Sequence, residues 1–129
     1  AIARCRVVFP PDAWDTLTES GFAGKKGPVL ATAVVAGVQG AKRTSELIPF
    51  CHPVALDACD VSFEEQELAL EVTCAVTTTH RTGVEMEALS GASIAALAVY
   101  DMTKALSHSI VVEDLRLIEK TGGKSDYKT

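Results

Sequence analysis

Three features of this 129-residue sequence predict an α+β fold, an antiparallel sheet with helices packed on one face. Short segments with a two-residue apolar alternation flank longer ones with helical periodicity. Two of the alternating segments are joined by a tight polar turn, the mark of a hairpin. The strand-like and helix-like segments also follow one another in the order β-α-α-β-β-α-β.

Taken in order, Ala3, Cys5, Val7 and Phe9 alternate with Arg4, Arg6 and Val8, which predicts a strand. "PPDAWDTLTESG" opens on prolines, sets Trp14 and Leu17 on one side and ends at Gly21, a short helix. "GFAGKKGP" reads as a glycine loop. Pro28 opens a second helix running to Arg43. Its Ala33, Gly37 and Ala41, spaced by four, leave a groove that another element can approach closely. "IPFCHP" is an extended, proline-bracketed segment. Cys59, Val61 and Phe63, the turn "EEQE", and Leu68, Leu70, Val72, Cys74 and Val76 form the predicted hairpin. A long helix over 84–107, a strand over 110–118 and a polar tail complete the chain. The order β-α-α-β-β-α-β is of ferredoxin-like type, and the whole of 1–129 reads as one domain.

Composition narrows the function classes. A net charge of −5 argues against general nucleic-acid binding, which wants a basic face, without excluding a local cationic pocket. No apolar run approaches the ~20 residues needed to span a bilayer, so no membrane partner is expected. Four cysteines without CxxC spacing point to a reducing, cytoplasmic setting, with Cys59 and Cys74 as small buried hydrophobes. Nothing at the N-terminus resembles a signal peptide, and a chain opening at Ala1 suggests a trimmed or disordered preceding segment.

The long helix poses the sharpest question. Ala88–Tyr100 is uncharged, yet Glu85 and Glu87 stand at one end and Asp101 and Lys104 at the other. Ser90, Ile94, Leu97, Asp101 and Lys104 fall in one row, so Asp101 is expected beside apolar neighbours in a partly desolvated cleft. Two readings stay open. One is a surface ion pair, the other a carboxylate and an ammonium tuned by each other for chemistry. The two acids at the other end sit in the first helical turn and are better accounted for, taken alone, by matching the helix dipole. Glu87 and Asp101 lie about 21 Å apart along the axis, so either the ligand is long or the two ends serve two copies of a site shared between subunits.

Three further motifs carry ionisable or metal-binding side chains. Cys51 and His52, adjacent in an extended segment, make a poor chelate, so no metal site is expected and His52 reads as a hydrogen-bonding group. Lys25 and Lys26 are either a solvated pair or a mobile lid carrying a cation to an anion. "TGGKS" is no phosphate loop, because position 118 is isoleucine and no helix follows. Lys120 and Lys124 are then a flexible basic tail that could still meet a phosphate.

"AKRTSELIPFCHP", "TGVEMEAL", "AALAVYDMTKA" and "KTGGKS", in this order, closely resemble the molybdenum cofactor biosynthesis protein C family, the cyclic pyranopterin monophosphate synthases. The resemblance covers about residues 24 to 127. It implies a ferredoxin-like fold and a lyase that converts 3′,8-cyclo-7,8-dihydroguanosine triphosphate to cyclic pyranopterin monophosphate and pyrophosphate. It also implies a homohexamer, a trimer of dimers, with active sites at the dimer interface. By position it assigns Asp101, Lys104 and the glycine-loop Lys26 as catalytic. It assigns Phe50, Cys51, His52, Glu85, Met86 and Glu87 as substrate-binding. The chemistry involves no net redox, so no cofactor is expected, with Mg²⁺ alongside the pyrophosphate left open. Three departures stand out: the family's usual N-terminal "MVDVS"-like stretch and its arginine are missing, Pro28 replaces a common aspartate, and Phe50 a usual leucine. The competing reading is a non-catalytic ferredoxin-like ligand-binding or assembly module.

Overall fold

A computed structural model describes residues 1–129. The first strand, β1 (Ile2–Val8), buries Ala3, Cys5 and Val7 on one face, as its alternation requires. Helix α1 (Pro11–Glu19) starts with proline at its first position and buries Ala13 and Leu17. It ends before Gly21, whose φ of 68° turns the chain at no steric cost. A two-rung hairpin, β2 (Ala23–Gly24) and β3 (Gly27–Pro28), replaces the expected open loop. Helix α2 (Val29–Lys42) follows, then one short turn, α3 (Thr44–Leu47). Strands β4 (Ala58–Gln66) and β5 (Ala69–Thr77) make the predicted hairpin. Helix α4 (Glu85–Thr103) gives way to a 3₁₀ turn at Lys104–Leu106. Strands β6 (Val111–Lys120) and β7 (Tyr127–Lys128) close the chain.

The sheet order is β4-β5-β1-β6-β7, antiparallel throughout, an α+β ferredoxin-like arrangement. Helices α2 and α4 lie over the face that carries Cys5, Val7, Leu70, Val72 and Cys74, and the core fills the space between. The two helices approach closely because their facing residues are small. A methyl group on Gly37 would stand 3.0 Å from the Ala95 side chain and from the Gly91 carbonyl oxygen. The groove read from Ala33, Gly37 and Ala41 is therefore the α2–α4 seam, and all three residues are buried.

Three boundaries differ from the sequence expectation. Glu64, Glu65 and Gln66 belong to β4 rather than to the turn, pairing with Glu71, Leu70 and Ala69. An edge strand tolerates such charge because its outer side meets water. The turn is Glu67–Leu68, with Leu68 at φ 57°. The tail "EKTGGKSDYKT" is not loose. Gly122 and Gly123 take positive φ, the Gly122 N–H donates to Asp126 at 3.0 Å, and β7 returns onto Glu119 and Lys120.

Candidate active site

At the C-terminal end of α4, Asp101 accepts from Lys26 Nζ and Lys104 Nζ, each at 3.0 Å. Lys104 gets there from the first residue of the 3₁₀ turn, three positions on, where one helical turn brings side chains together. Lys26 arrives from the tip of the β2–β3 hairpin, 75 residues away in sequence. That hairpin is clasped to α4, since a methyl on Gly24 would come within 3.1 Å of the Met102 carbonyl oxygen. The segment read as a glycine loop is thus a short paired hairpin lying against the end of α4.

The exposure of this end departs from expectation. Leu97 is 53% exposed, and the side chains of Asp101 and Lys104 are 51% and 57% exposed. The row that includes Leu97 faces out of the single chain. The buried side of α4 is the one carrying Ala88, Ala92, Ala95, Ala96 and Val99. Alanines on the core face let the helix sit close to the sheet, which leaves the longer side chains on its outer side. The charged trio is nevertheless beside a hollow of about 240 Å³, lined also by Leu17, Gly24, Met102 and Leu106. Hydrogen bonds from Lys26 and then Lys104 hold the Asp101 carboxyl below the usual carboxylate range. An ionised Asp101 flanked by two ammonium groups can orient proton donors and stabilise negative charge that develops nearby.

The other end of α4 carries the remaining candidates. Phe50, Cys51, His52, Glu85, Met86 and Glu87 border one hollow of about 430 Å³. Phe50 is 98% exposed at its rim, and His52 is exposed as well. Glu87 is only 3% exposed, in the first turn of α4 where the helix dipole favours a carboxylate. Its Oε2 accepts from Cys51 Sγ at 3.6 Å. Glu85 meets Lys120 Nζ at 3.1 Å. Burial pushes the Glu85 carboxyl up, but its own backbone N–H and Lys120 outweigh that and hold it below its ordinary value.

The fold brings the nine assigned residues together as two groups, three at one end of α4 and six at the other. Glu87 and Asp101 remain about 21 Å apart along the axis. Sequence reasoning named Lys120 and Lys124 but missed that they join Arg81, Thr82, Gly122 and Gly123 around a hollow of about 520 Å³ beside Glu85. The "TGGKS" segment was the available signal, because its glycines fold the chain back and fix Lys120 opposite α4. The three histidines, His52, His80 and His108, are all exposed, and no trio of His, Cys, Asp or Glu is gathered as for a metal. Cys74 is buried as expected and Cys59 half-buried, their sulfurs 3.9 Å apart. No helix is long and apolar enough to cross a membrane.

Residues 1–123 match the family described as the MoaC family. The chain is 52% identical over 127 residues to a cyclic pyranopterin monophosphate synthase of Xanthomonas oryzae pv. oryzae, covering 98% of this chain and 77% of that protein. It is 50% identical over 129 residues to one of Heliobacterium modesticaldum, covering 98% and 80%. It is 47% identical over 131 residues to a molybdenum cofactor biosynthesis bifunctional protein of Synechocystis sp., of which the alignment covers 38%.

Proposed function

Because the chain belongs to the MoaC family, we propose that it is a cyclic pyranopterin monophosphate synthase acting in molybdenum cofactor biosynthesis. On this reading it is a lyase. It converts 3′,8-cyclo-7,8-dihydroguanosine triphosphate to cyclic pyranopterin monophosphate and pyrophosphate by acid–base catalysis. The observation that carries the mechanism is the clasp of Lys26 and Lys104 on Asp101, each at 3.0 Å. The clasp joins a hairpin and a helix end far apart in sequence and borders a hollow of about 240 Å³. Exposed ion pairs contribute little to stability, and a charged cluster beside a hollow supports a catalytic role.

The roles follow from charge. Asp101 stays ionised and holds both ammonium groups in fixed directions, while Lys104 and Lys26 carry the protons that ring opening and ring closure require. Lys26 also supplies positive charge for the phosphates. At the other end of α4, Glu85, Glu87 and His52 hold the polar edge of the base-derived ring, with Phe50, Cys51 and Met86 shaping its pocket. The separation of the two groups favours a site completed by a second copy of the chain. A homohexamer, arranged as a trimer of dimers with sites at the dimer interface, satisfies this and would cover Leu97 and Phe50, 53% and 98% exposed. A cytoplasmic location suits the free cysteines. No resident cofactor is part of the proposal, and any Mg²⁺ would accompany the pyrophosphate. Relatives aligned over nearly the whole chain bear an enzyme's name, which favours this reading over the assembly module.

The test is pyrophosphate release from the cyclic triphosphate by Asp101→Asn and Lys104→Ala. Both side chains are half-exposed, so the variants should fold and assemble while turnover falls below detection. Near-wild-type turnover in either variant rules the assignment out.

A further inference from the structure

The buried Glu87 carboxylate depends on a single sulfur. Cys51 is the one side chain that donates to it, Sγ to Oε2 at 3.6 Å. Glu87 forms part of the wall between two hollows. One is bordered by Lys42, Thr44 and Pro53, the other by Phe50, His52 and Met86. A carboxylate in such a wall can rotate toward either side unless something holds it. Cys51 is itself fixed, since its N–H donates to the Ile48 carbonyl at 3.1 Å and closes the turn that follows α3.

The sulfur's own state agrees with a donor. Burial first, then the Glu87 charge and the hydrogen bond to it, raise the Cys51 thiol above its ordinary value. The proton stays on sulfur, whose nearer acceptor is Glu87 Oε2 at 3.6 Å and whose other is the His52 carbonyl oxygen at 3.9 Å. A thiolate nucleophile or a metal ligand needs the opposite environment.

We infer that Cys51 is a positioning residue for Glu87, its S–H holding Oε2 so that the other carboxylate oxygen is presented to the pocket lined by Phe50, His52 and Met86. The inference rests on the synthase reading for its consequence, because Glu87 matters in turnover only if that pocket holds the substrate ring. It recasts Cys51 from a substrate contact to a group acting through its neighbour.

Two measurements on the full chain separate the possibilities. The first is kcat/KM from pyrophosphate release for Cys51→Ala, Cys51→Ser and Cys51→Ala combined with Glu87→Asp. Cys51→Ala should lose about tenfold to a hundredfold, the size of one hydrogen bond to an ionised group. Cys51→Ser, which keeps a donor, should recover most of that loss. With Glu87→Asp already in place, removing the thiol should cost little more, because the shortened carboxylate no longer reaches it. Full turnover by Cys51→Ala, or an undiminished loss in the Glu87→Asp background, overturns the inference. The second is the pH dependence of iodoacetamide modification at Cys51, followed by peptide mass. Its midpoint should fall in Glu87→Gln, and an unmoved midpoint overturns the thiol–carboxylate pair. Wild-type protein that releases no pyrophosphate but shows the modification shift would defeat the synthase reading and leave the pair standing.

Discussion

The packing of α4 on the sheet can be probed with a single methyl group. On Gly91 of α4, it would lie 2.5 Å from the Cys74 sulfur, 3.2 Å from the Gly37 carbonyl oxygen and 3.4 Å from the Ala41 Cβ. Intrinsic helix propensity alone makes Gly91→Ala stabilising by about 0.8–1 kcal/mol. Against that, forcing a methylene into a close-packed core costs about 1–3 kcal/mol. The upper half of that range applies here, because Cys74 is fully buried and one of the neighbours is backbone. The net expectation is a loss of about 1–2 kcal/mol. For 129 residues, an unfolding entropy of about 2.1 cal/mol/K per residue converts this to a Tm lower by about 4–8 °C. The assay is thermal unfolding at fixed protomer concentration, so that assembly does not shift the midpoint. Cys74→Ala supplies the control, since it removes the sulfur and leaves space for the new methyl. The double variant should be more stable than the sum of the two single effects by about 1 kcal/mol or more. A Gly91→Ala protein that melts at or above wild type, or strictly additive effects, would refute the packing argument. The result bears on function, because α4 carries Glu87 one turn before Gly91 and Asp101 near its other end.

Other expectations concern the site. The Asp101 carboxyl, depressed by Lys26 and Lys104, keeps its ion pairs above the ordinary carboxylate value of about 3.9 and loses them only as pH falls through a lower folded value. Carbon NMR should therefore place its midpoint below about 3.9 and Lys26→Ala should raise it; a midpoint at or above the ordinary value would contradict the clasp. Mixing Lys104→Ala with Glu87→Gln protein should restore activity, up to about a quarter of wild type for randomly paired two-chain sites. No recovery at any ratio, under conditions where subunits exchange, speaks against a shared site. Phe50→Ala should leave the Tm of a dissociated single chain unchanged, given 98% exposure, while raising KM or weakening assembly. A substantial loss of single-chain stability would show that the ring packs against its own chain.

Much of the architecture could be read from local patterns. Alternation placed β1, β4 and β5, and proline and glycine marked the ends of α1 and the start of α2. The spacing of Ala33, Gly37 and Ala41 announced a close helix seam without saying which helix would fill it. The burial side of α4 was misjudged because it is apolar nearly all round, and a helix with little amphipathic contrast carries no instruction about which side meets the sheet. The tail shows no apolar alternation, so its pattern does not announce β7, which is placed by the turn at Gly122 and Gly123 that returns Tyr127 and Lys128 onto Lys120 and Glu119.

The sequence by itself determined the residue types, their spacing and the local elements, because these follow from side-chain periodicity and backbone preferences acting over a few residues. It also carried the family resemblance, and with it the assignment of Asp101, Lys104 and Lys26. Only the tertiary structure decided that Lys26 meets Asp101 across 75 residues, that Glu87 is buried against Cys51, and that Lys120 faces Glu85. Such pairings arise when packing brings remote segments together, and no short-range pattern encodes a distance between groups the chain has yet to fold into contact.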